Sequence, residues 1–425
     1  MVSSSPFVNF QEPIVQNTFS PERITQIGLN AQTERAYWGN GSRLALTWES
    51  FYTDQNQPGI IIPTSVGPIG VPVGPATFFE NRIRATYTYP LLKNKGGILD
   101  KLDYELSDEG IALSRIESLE NQENFLLDAA VNYVDWVLTI EQMRIAEERM
   151  SFEEEQRGQI QRKRRANLVD EVDLLRAESA VEVAQENLTF NRSRMIALRA
   201  GLSVLAKDPA ITESSPAMDL YATDSIPSLE EVLANIPNQR TIRALRVRLQ
   251  QLETQKQALE NVTKAQLLLG ATGGVQQGNS NFADSWKLDR PDLTFFVEYS
   301  YPLGNRTAVA DVSRNYAEIR KLEKTIESAS LNLEAQLRKI WIEITELAKV
   351  LTLNQKQIET ARKKTLEEQK VYDQGRSDLT FVIQSRDEVS LAQLRYAANA
   401  ATYQKLFLNY LALVDELLPV ESQQP

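Results

Sequence analysis

The sequence predicts a mostly helical chain with four membrane-type β-strands, laid out as two internal structural repeats. Three observations predict it. Tyr87-Thr88-Tyr89-Pro90-Leu91 recurs as Tyr299-Ser300-Tyr301-Pro302-Leu303, 212 residues later. Asn167-Leu168-Val169-Asp170 corresponds to Gly375-Arg376-Ser377-Asp378 at the similar offset of 208. Each copy of the first motif ends an alternating apolar and polar run and precedes a very long charged stretch without proline. Self-similarity at a fixed period constrains architecture before any single motif does. The unit reads strand, strand, long helix, turn, long helix.

Residues 1–42 read as an extended arm and a short helix. Pro6 and Pro13 interrupt residues 1–20, which show no helical period. Ser20-Pro21-Glu22 then has the form of a helix start, a capping serine followed by proline at the first helical position. The first repeat, 43–206, opens with strands at about 43–52 and 79–89. Leu44, Leu46 and Trp48 alternate with polar or small neighbours, as do Ile83, Ala85, Tyr87 and Tyr89. Between them residues 53–78 are rich in Pro and Gly and read as a long loop.

Residues 207–236, with Pro209, Pro216 and Pro227, link the halves. The second repeat, 237–418, begins with a helix over about 237–264. Strands follow at about 265–272 and 292–301, joined by a glycine- and asparagine-rich loop over roughly 273–290. Residues 419–425 form a tail. A strand with one apolar face suits a half-buried soluble sheet, or a barrel with lipid outside and water inside. Four such strands ringed with Trp48, Phe78, Phe79, Tyr87, Tyr89, Tyr299 and Tyr301 favour the membrane, because amphipathic rings collect at the headgroup layer.

The long helices are expected over about 100–165 and 170–205, then 307–373 and 379–417. The longer ones would span roughly 90–100 Å at 1.5 Å per residue. Leu322, Ile326, Ala329, Leu333, Leu337, Ile340, Ile344 and Leu347 step by three or four, a coiled-coil spacing. Such a helix pair has too small a core of its own, so its apolar stripe must meet further helices.

Composition excludes several functions. The 425 residues carry 46 Lys and Arg against 57 Asp and Glu, a net charge of −11, which argues against a nucleic-acid surface. With no cysteine and no histidine, disulfides, thiol catalysis, zinc–cysteine sites and the commonest general base are absent. No phosphate loop or nucleophile–base constellation stands out, so neither an enzyme nor a cofactor site is expected. Residues 1–6 lack the basic start and apolar run of a secretory signal. The competing class is therefore a non-channel coiled-coil scaffold, and the upstream reading frame separates the two.

The two turn segments resemble the TolC family of outer-membrane channel proteins over residues 40–418. Family members place a glycine, a small or acidic residue and an aliphatic stretch ending in a small residue at each helix-to-helix turn. Gly375 through Ser385 has that form; Asn167 through Ala177 has it with asparagine for glycine, a mild change because asparagine tolerates the left-handed region. The resemblance implies a homotrimer in the outer membrane, four strands from each chain closing a twelve-stranded barrel, and a long helical tube through the periplasm. It also implies a passive exit duct for a tripartite efflux pump or a type I secretion system, with a periplasmic adaptor and, indirectly, an inner-membrane pump as partners.

By the same resemblance, Tyr372 falls at the family's gate tyrosine and Asp173 at its acidic partner. Ser377 stands where the gate arginine is usual, with Arg376 one residue early, and Phe381 and Gln384 stand where some members carry an acidic ring. Asn167, Leu168, Asp170, Gly375, Ser377 and Asp378 mark the turn tips, which an adaptor would touch. Arg164 and Arg165 belong to the basic run that starts at Arg162. Cations there complement a helix C-terminus by about 0.3–1 kcal/mol each, and they suit an acidic adaptor tip. Lacking the acidic ring, the channel should be blocked only weakly by multivalent cations; single-channel recording with millimolar trivalent cation checks this.

Overall fold

The computed structural model describes residues 2–12, 21, 23–56, 60–71 and 77–418. The chain divides into two compact units, residues 1–111 with 248–322 and residues 112–247 with 323–425. In chain order the strands are β1 (Val2–Gln11), β2 (Arg23–Tyr37), β3 (Ser42–Asn56), β4 (Ile60–Thr64), β5 (Gly67–Val71) and β6 (Thr77–Pro90). Helices α1 (Ile98–Arg165), α2 (Glu171–Leu205), α3 (Leu229–Ala234) and α4 (Arg240–Val262) follow. Strands β7 (Gln266–Asn279) and β8 (Arg290–Ser300) then lead to α5 (Arg306–Asp373) and α6 (Leu379–Leu413). Helices α1 and α5 have 68 residues each, α2 and α6 have 35 each.

The first unit holds an antiparallel sheet of six strands in the order β1-β2-β3-β6-β7-β8, not the four expected. The difference lies at the N-terminus. The expected short helix is strand β2, paired with β3 along its whole length from Arg23↔Asn56 to Tyr37↔Ser42. Its sequence alternates, with Ile27, Leu29 and Ala31 on one face and Gln26, Asn30 and Gln32 on the other. That period of two outweighs the helix-start signal at Pro21; Ser20 and Glu22 of that signal lie outside the described residues. The arm is extended as expected, but over Val2–Gln11 it is strand β1, paired with β2. Pro6 and Pro291, each lacking a ladder donor, sit on the two outermost strands, where a sheet tolerates them.

Two expected loops also contain strand. Residues 60–71 form the β4–β5 hairpin, a separate two-stranded sheet; residues 57–59 and 72–76 of that loop, like the tail 419–425, lie outside the described residues. The glycine-rich segment after 272 continues β7 as far as Asn279. Gly274 in it, and Gly270 earlier in β7, serve close approach. A Cβ at Gly274 would lie 2.7 Å from the Ile83 carbonyl oxygen, and one at Gly270 would lie 2.1 Å from the Phe296 ring.

The register sorts the sheet into two faces. Ile27, Leu46, Ile83, Leu269, Leu293, Phe295 and Val297 lie on one and are all at least 40% exposed. The other is mainly polar and charged, with Phe7, Phe51 and Phe296 among its residues. There Arg43 pairs with Glu34 (3.2 Å), Arg82 with Glu49 (3.7 Å) and Glu80, and Arg84 with Asp292 (3.6 Å). At one end of the apolar face the β7–β8 connection folds back over it. Trp286 meets Trp48 at 5.8 Å and Phe282 meets Phe79 at 5.3 Å. Beneath them Asn81 donates to Ser285 Oγ (2.8 Å). Among the described residues no helix is long and apolar enough to cross a membrane.

The second unit packs α1, α5 and α6 around Val134, Leu337, Ile344, Leu351, Ala397 and Tyr403. The alanines Ala397, Ala400 and Ala401 are fully buried and let the helices approach closely. The segment 218–236 is clamped on this core. Tyr403 donates to the Asp224 carbonyl (3.0 Å), Gln404 to those of Leu220 and Ala222, and Trp341 to that of Pro227 (3.0 Å). At the start of α4, Arg240 is buried among three carboxylates. It contacts Glu123, Asp415 (3.2 Å) and Glu120 (3.6 Å), and its backbone N–H donates to Asp415 (2.6 Å).

Burial raises the pKa of Glu120 and of Glu123 above the ordinary carboxylate value, against the pull of Arg240. The native state therefore keeps protons on them above the ordinary carboxylate range, and their contribution to stability falls as pH rises through that raised window. Arg240→Met leaves these charges uncompensated and should cost about 3–5 kcal/mol at neutral pH. Part of the loss should return below the carboxylate range, where both groups are protonated. Melting curves followed by circular dichroism across pH read both effects.

Candidate functional site: the helix-turn tips

Both tips close by the same geometry. Helix α1 ends with the Asn167 N–H on the Arg164 carbonyl and the Leu168 N–H on that of Lys163, each at 2.9 Å. Helix α5 ends with the Gly375 N–H on Tyr372 (2.9 Å) and the Arg376 N–H on Val371 (3.0 Å). Such a pair of bonds requires a left-handed residue, and Asn167 (φ 50°) and Gly375 (φ 69°) supply it. Lys207 after α2 (φ 53°) and Asp415 after α6 (φ 60°) close their helices in the same way. The members of each pair, 167 with 375 and 207 with 415, stand 208 positions apart.

The return helices start on aspartates. Asp378 caps α6, accepting from the Thr380 N–H (2.7 Å) and hydroxyl (2.6 Å), and these bonds hold its carboxyl below the usual range. Asp170 occupies the same position before α2 without a side-chain bond. Behind the turns, Ile160, Leu174, Ala177 and Leu379 form a small buried cluster, with Val169, Tyr372 and Ile383 packed on it. The two hairpins of one chain are thereby joined at their tips. Sequence reading missed this cluster, although the apolar spacing of Ile160, Leu174 and Ala177 carries its signal.

The expected gate residues fall around the cluster. The Tyr372 ring takes the Lys163 ammonium at 4.2 Å. Asp173 pairs with Arg176 (3.4 Å), which also reaches Asp378 (4.0 Å). Among the described residues no hydrogen bond joins Tyr372 to Asp173 within the chain. Arg376 lies on the exposed turn and donates to Gln374 (3.3 Å), and Ser377 is half-buried beside it. Phe381 and Gln384 are exposed on the first turns of α6. Arg164 is tied to Glu171 across the first turn, whereas Arg162 and Arg165 are exposed. Leu168, Val172, Leu175 and Phe381 form an apolar fringe around the tips, all more than half exposed.

The tips hold no constellation for bond chemistry. Elsewhere, Glu120, Glu123 and Asp415 lie close enough to share a cation. The Arg240 guanidinium already meets all three, so the residues do not fit a metal there.

Two long helical hairpins, each joined in sequence to strands of a sheet with one apolar face, are the defining features of the fold. Comparison with solved structures gives this fold. The chain is similar to the outer membrane protein VceC of Vibrio cholerae (TM-score 0.67, 10% identity, 88% of this chain and 87% of that one). It is likewise similar to CusC (TM-score 0.67, 11% identity, 87% and 83%) and to the MtrE outer membrane channel of Neisseria gonorrhoeae (TM-score 0.64, 17% identity, 94% and 82%). No protein-family model matches the sequence, and no curated protein matches it.

The two turns differ in backbone strain. Gly375→Ala places a Cβ in the left-handed region and should cost the tip about 1–2 kcal/mol, while Asn167→Gly should leave its tip unweakened. Hydrogen exchange of the amides at the end of α5 and the start of α6 reads the difference; equal protection in Gly375→Ala and the parent would contradict it.

Proposed function

We propose that the chain is one subunit of a trimeric outer-membrane exit duct for a tripartite efflux pump or a type I secretion system. Its two halves follow one plan, and its helix tips form the periplasmic gate. The observation that carries this reading is the sheet. It has a continuous apolar face and an opposite face of paired charges, which suits lipid on one side and water on the other. A cluster of rings at one end of the apolar face suits a headgroup layer. The likeness to outer-membrane channels supports the same reading.

The gate is built to open at small cost. Tyr372, Asp173 and Arg376 are held by partly exposed contacts, and Phe381 and Gln384 are exposed. A cation–π contact at such a site is worth about 0.5–1 kcal/mol, and a surface ion pair about as much. A periplasmic adaptor would engage the exposed edge of the tips at Leu168, Arg165, Gly375 and Asp378, and the inner-membrane pump would act through it. The reading predicts that the protein is extracted from outer membranes only with detergent, runs as a heat-labile trimer and conducts ions in planar bilayers. A soluble monomer without conductance would replace it with a coiled-coil scaffold.

Charge reversal at the free part of the basic run, Arg162→Glu with Arg165→Glu, should reduce adaptor crosslinking several-fold and leave trimer assembly intact. Unchanged crosslinking would remove the basic run from the interface. Lys163→Ala should raise the open probability of the isolated channel, because it removes the cation from the Tyr372 ring.

A further inference from the structure

The sheet does not match a twelve-stranded barrel, and its edges show what it can form instead. We propose that β1 of one chain pairs with β8 of the next, so that the barrel has eighteen strands, six from each of three chains. This rests on the trimeric duct reading above.

The register of the hairpin is the first argument. Strand β2 occupies the edge of β3 from end to end, so β8 of a neighbouring copy has no access to β3. A twelve-stranded closure would require that whole ladder to break. The outermost strands of the six-stranded sheet are β1 and β8. Within hydrocarbon each unpaired main-chain group costs several kcal/mol, and an open edge does not persist there.

Direction and length give the second argument. All five pairings in the sheet are antiparallel, so the first and last strands run in opposite directions. A second copy therefore brings β8 antiparallel to β1, and every pairing around the ring is of one type. Strand β1 has 10 residues and β8 has 11, matched to each other and to the length of a tilted membrane strand, about 9–11 residues.

The faces give the third. Val8 pairs with Ile27 and Phe10 with Thr25, which places Val8 and Phe10 on the apolar face, both strongly exposed. Leu293, Phe295 and Val297 continue that face on β8 and are equally exposed. On the opposite face, β1 offers Ser5, Phe7 and Asn9, and β8 offers Asp292, Thr294 and Phe296. Because side chains alternate along a strand, any register that keeps the apolar faces of β1 and β8 together also keeps their opposite faces together. Barrel diameter grows roughly in proportion to strand number, so the lumen would be about half again as wide as with twelve strands.

The absence of cysteine from the chain makes the test direct. Single cysteines at Ser4, Pro6, Val8 or Phe10 would each be combined with one at Leu293, Phe295, Val297 or Tyr299 in the full chain. The purified protein would be oxidised and run under denaturing conditions. A disulfide needs Cβ atoms about 3.5–4.5 Å apart, so only facing positions link. A parallel series replaces the β1 cysteine with one at Leu46 or Trp48 on β3. The expected result is a covalent trimer ladder from at least one β1–β8 combination and none from β3–β8. A β3–β8 ladder, or no ladder from any β1 position, in a protein that is trimeric by native mass would overturn the eighteen-stranded barrel and leave the duct reading standing. A protein that is not trimeric by native mass would overturn both.

Discussion

The first unit is organised by the main-chain hydrogen bonds of its sheet. In the six-stranded sheet β2, β3, β6 and β7 have both edges paired within the chain, whereas β1 and β8 each present one row of donors and acceptors to the outside. In water such an edge is a liability; in a bilayer it is not tolerated at all. The apolar face makes the same demand from another direction, because Leu293, Phe295 and Val297 on β8 stand open to the surroundings. In the proposed barrel both deficits would be removed together, by lipid on the face and another copy at the edge. The residues that would be poorly placed in an isolated soluble domain are those that a closed barrel requires.

The helical unit meets a different constraint. Its helices carry more apolar stripe than one hairpin can cover, so α1, α5 and α6 pack on shared alanines and on Tyr403. The polar cost of that packing is met locally. Tyr403, Gln404 and Trp341 satisfy carbonyls of the 218–236 segment, and Arg240 gathers three carboxylates that would otherwise repel. The tips are built with far less. Their buried cluster consists of four residues, and the outer contacts are exposed ion pairs and one cation–π contact. Local stability tracks buried apolar contact, so the region assigned to gating is also the region with the smallest core.

Some features were legible in the residues because they are local. The left-handed turns at Asn167 and Gly375 follow from a side chain that tolerates positive φ, and the aspartates before α2 and α6 follow from capping chemistry. The N-terminal misreading is instructive. Ser20-Pro21-Glu22 has the form of a helix start, yet Arg23–Tyr37 alternates and has the edge of β3 beside it. A pairing partner fixed by the fold outweighed a capping signal worth about 1 kcal/mol. Likewise Gly274 looks like a loop residue until Ile83 is seen against it.

By itself the sequence determined the long hairpins, their turns, the alternation of the strands and the absence of histidine and cysteine chemistry, since these depend on residue type and spacing along the chain. Only the tertiary structure decided the number of strands in the sheet, the burial of Arg240 and the partners of Tyr372 and Asp173. Those depend on which distant segments meet. Strand pairing joins residues far apart in the chain, and a local pattern carries no record of the edge that waits for it.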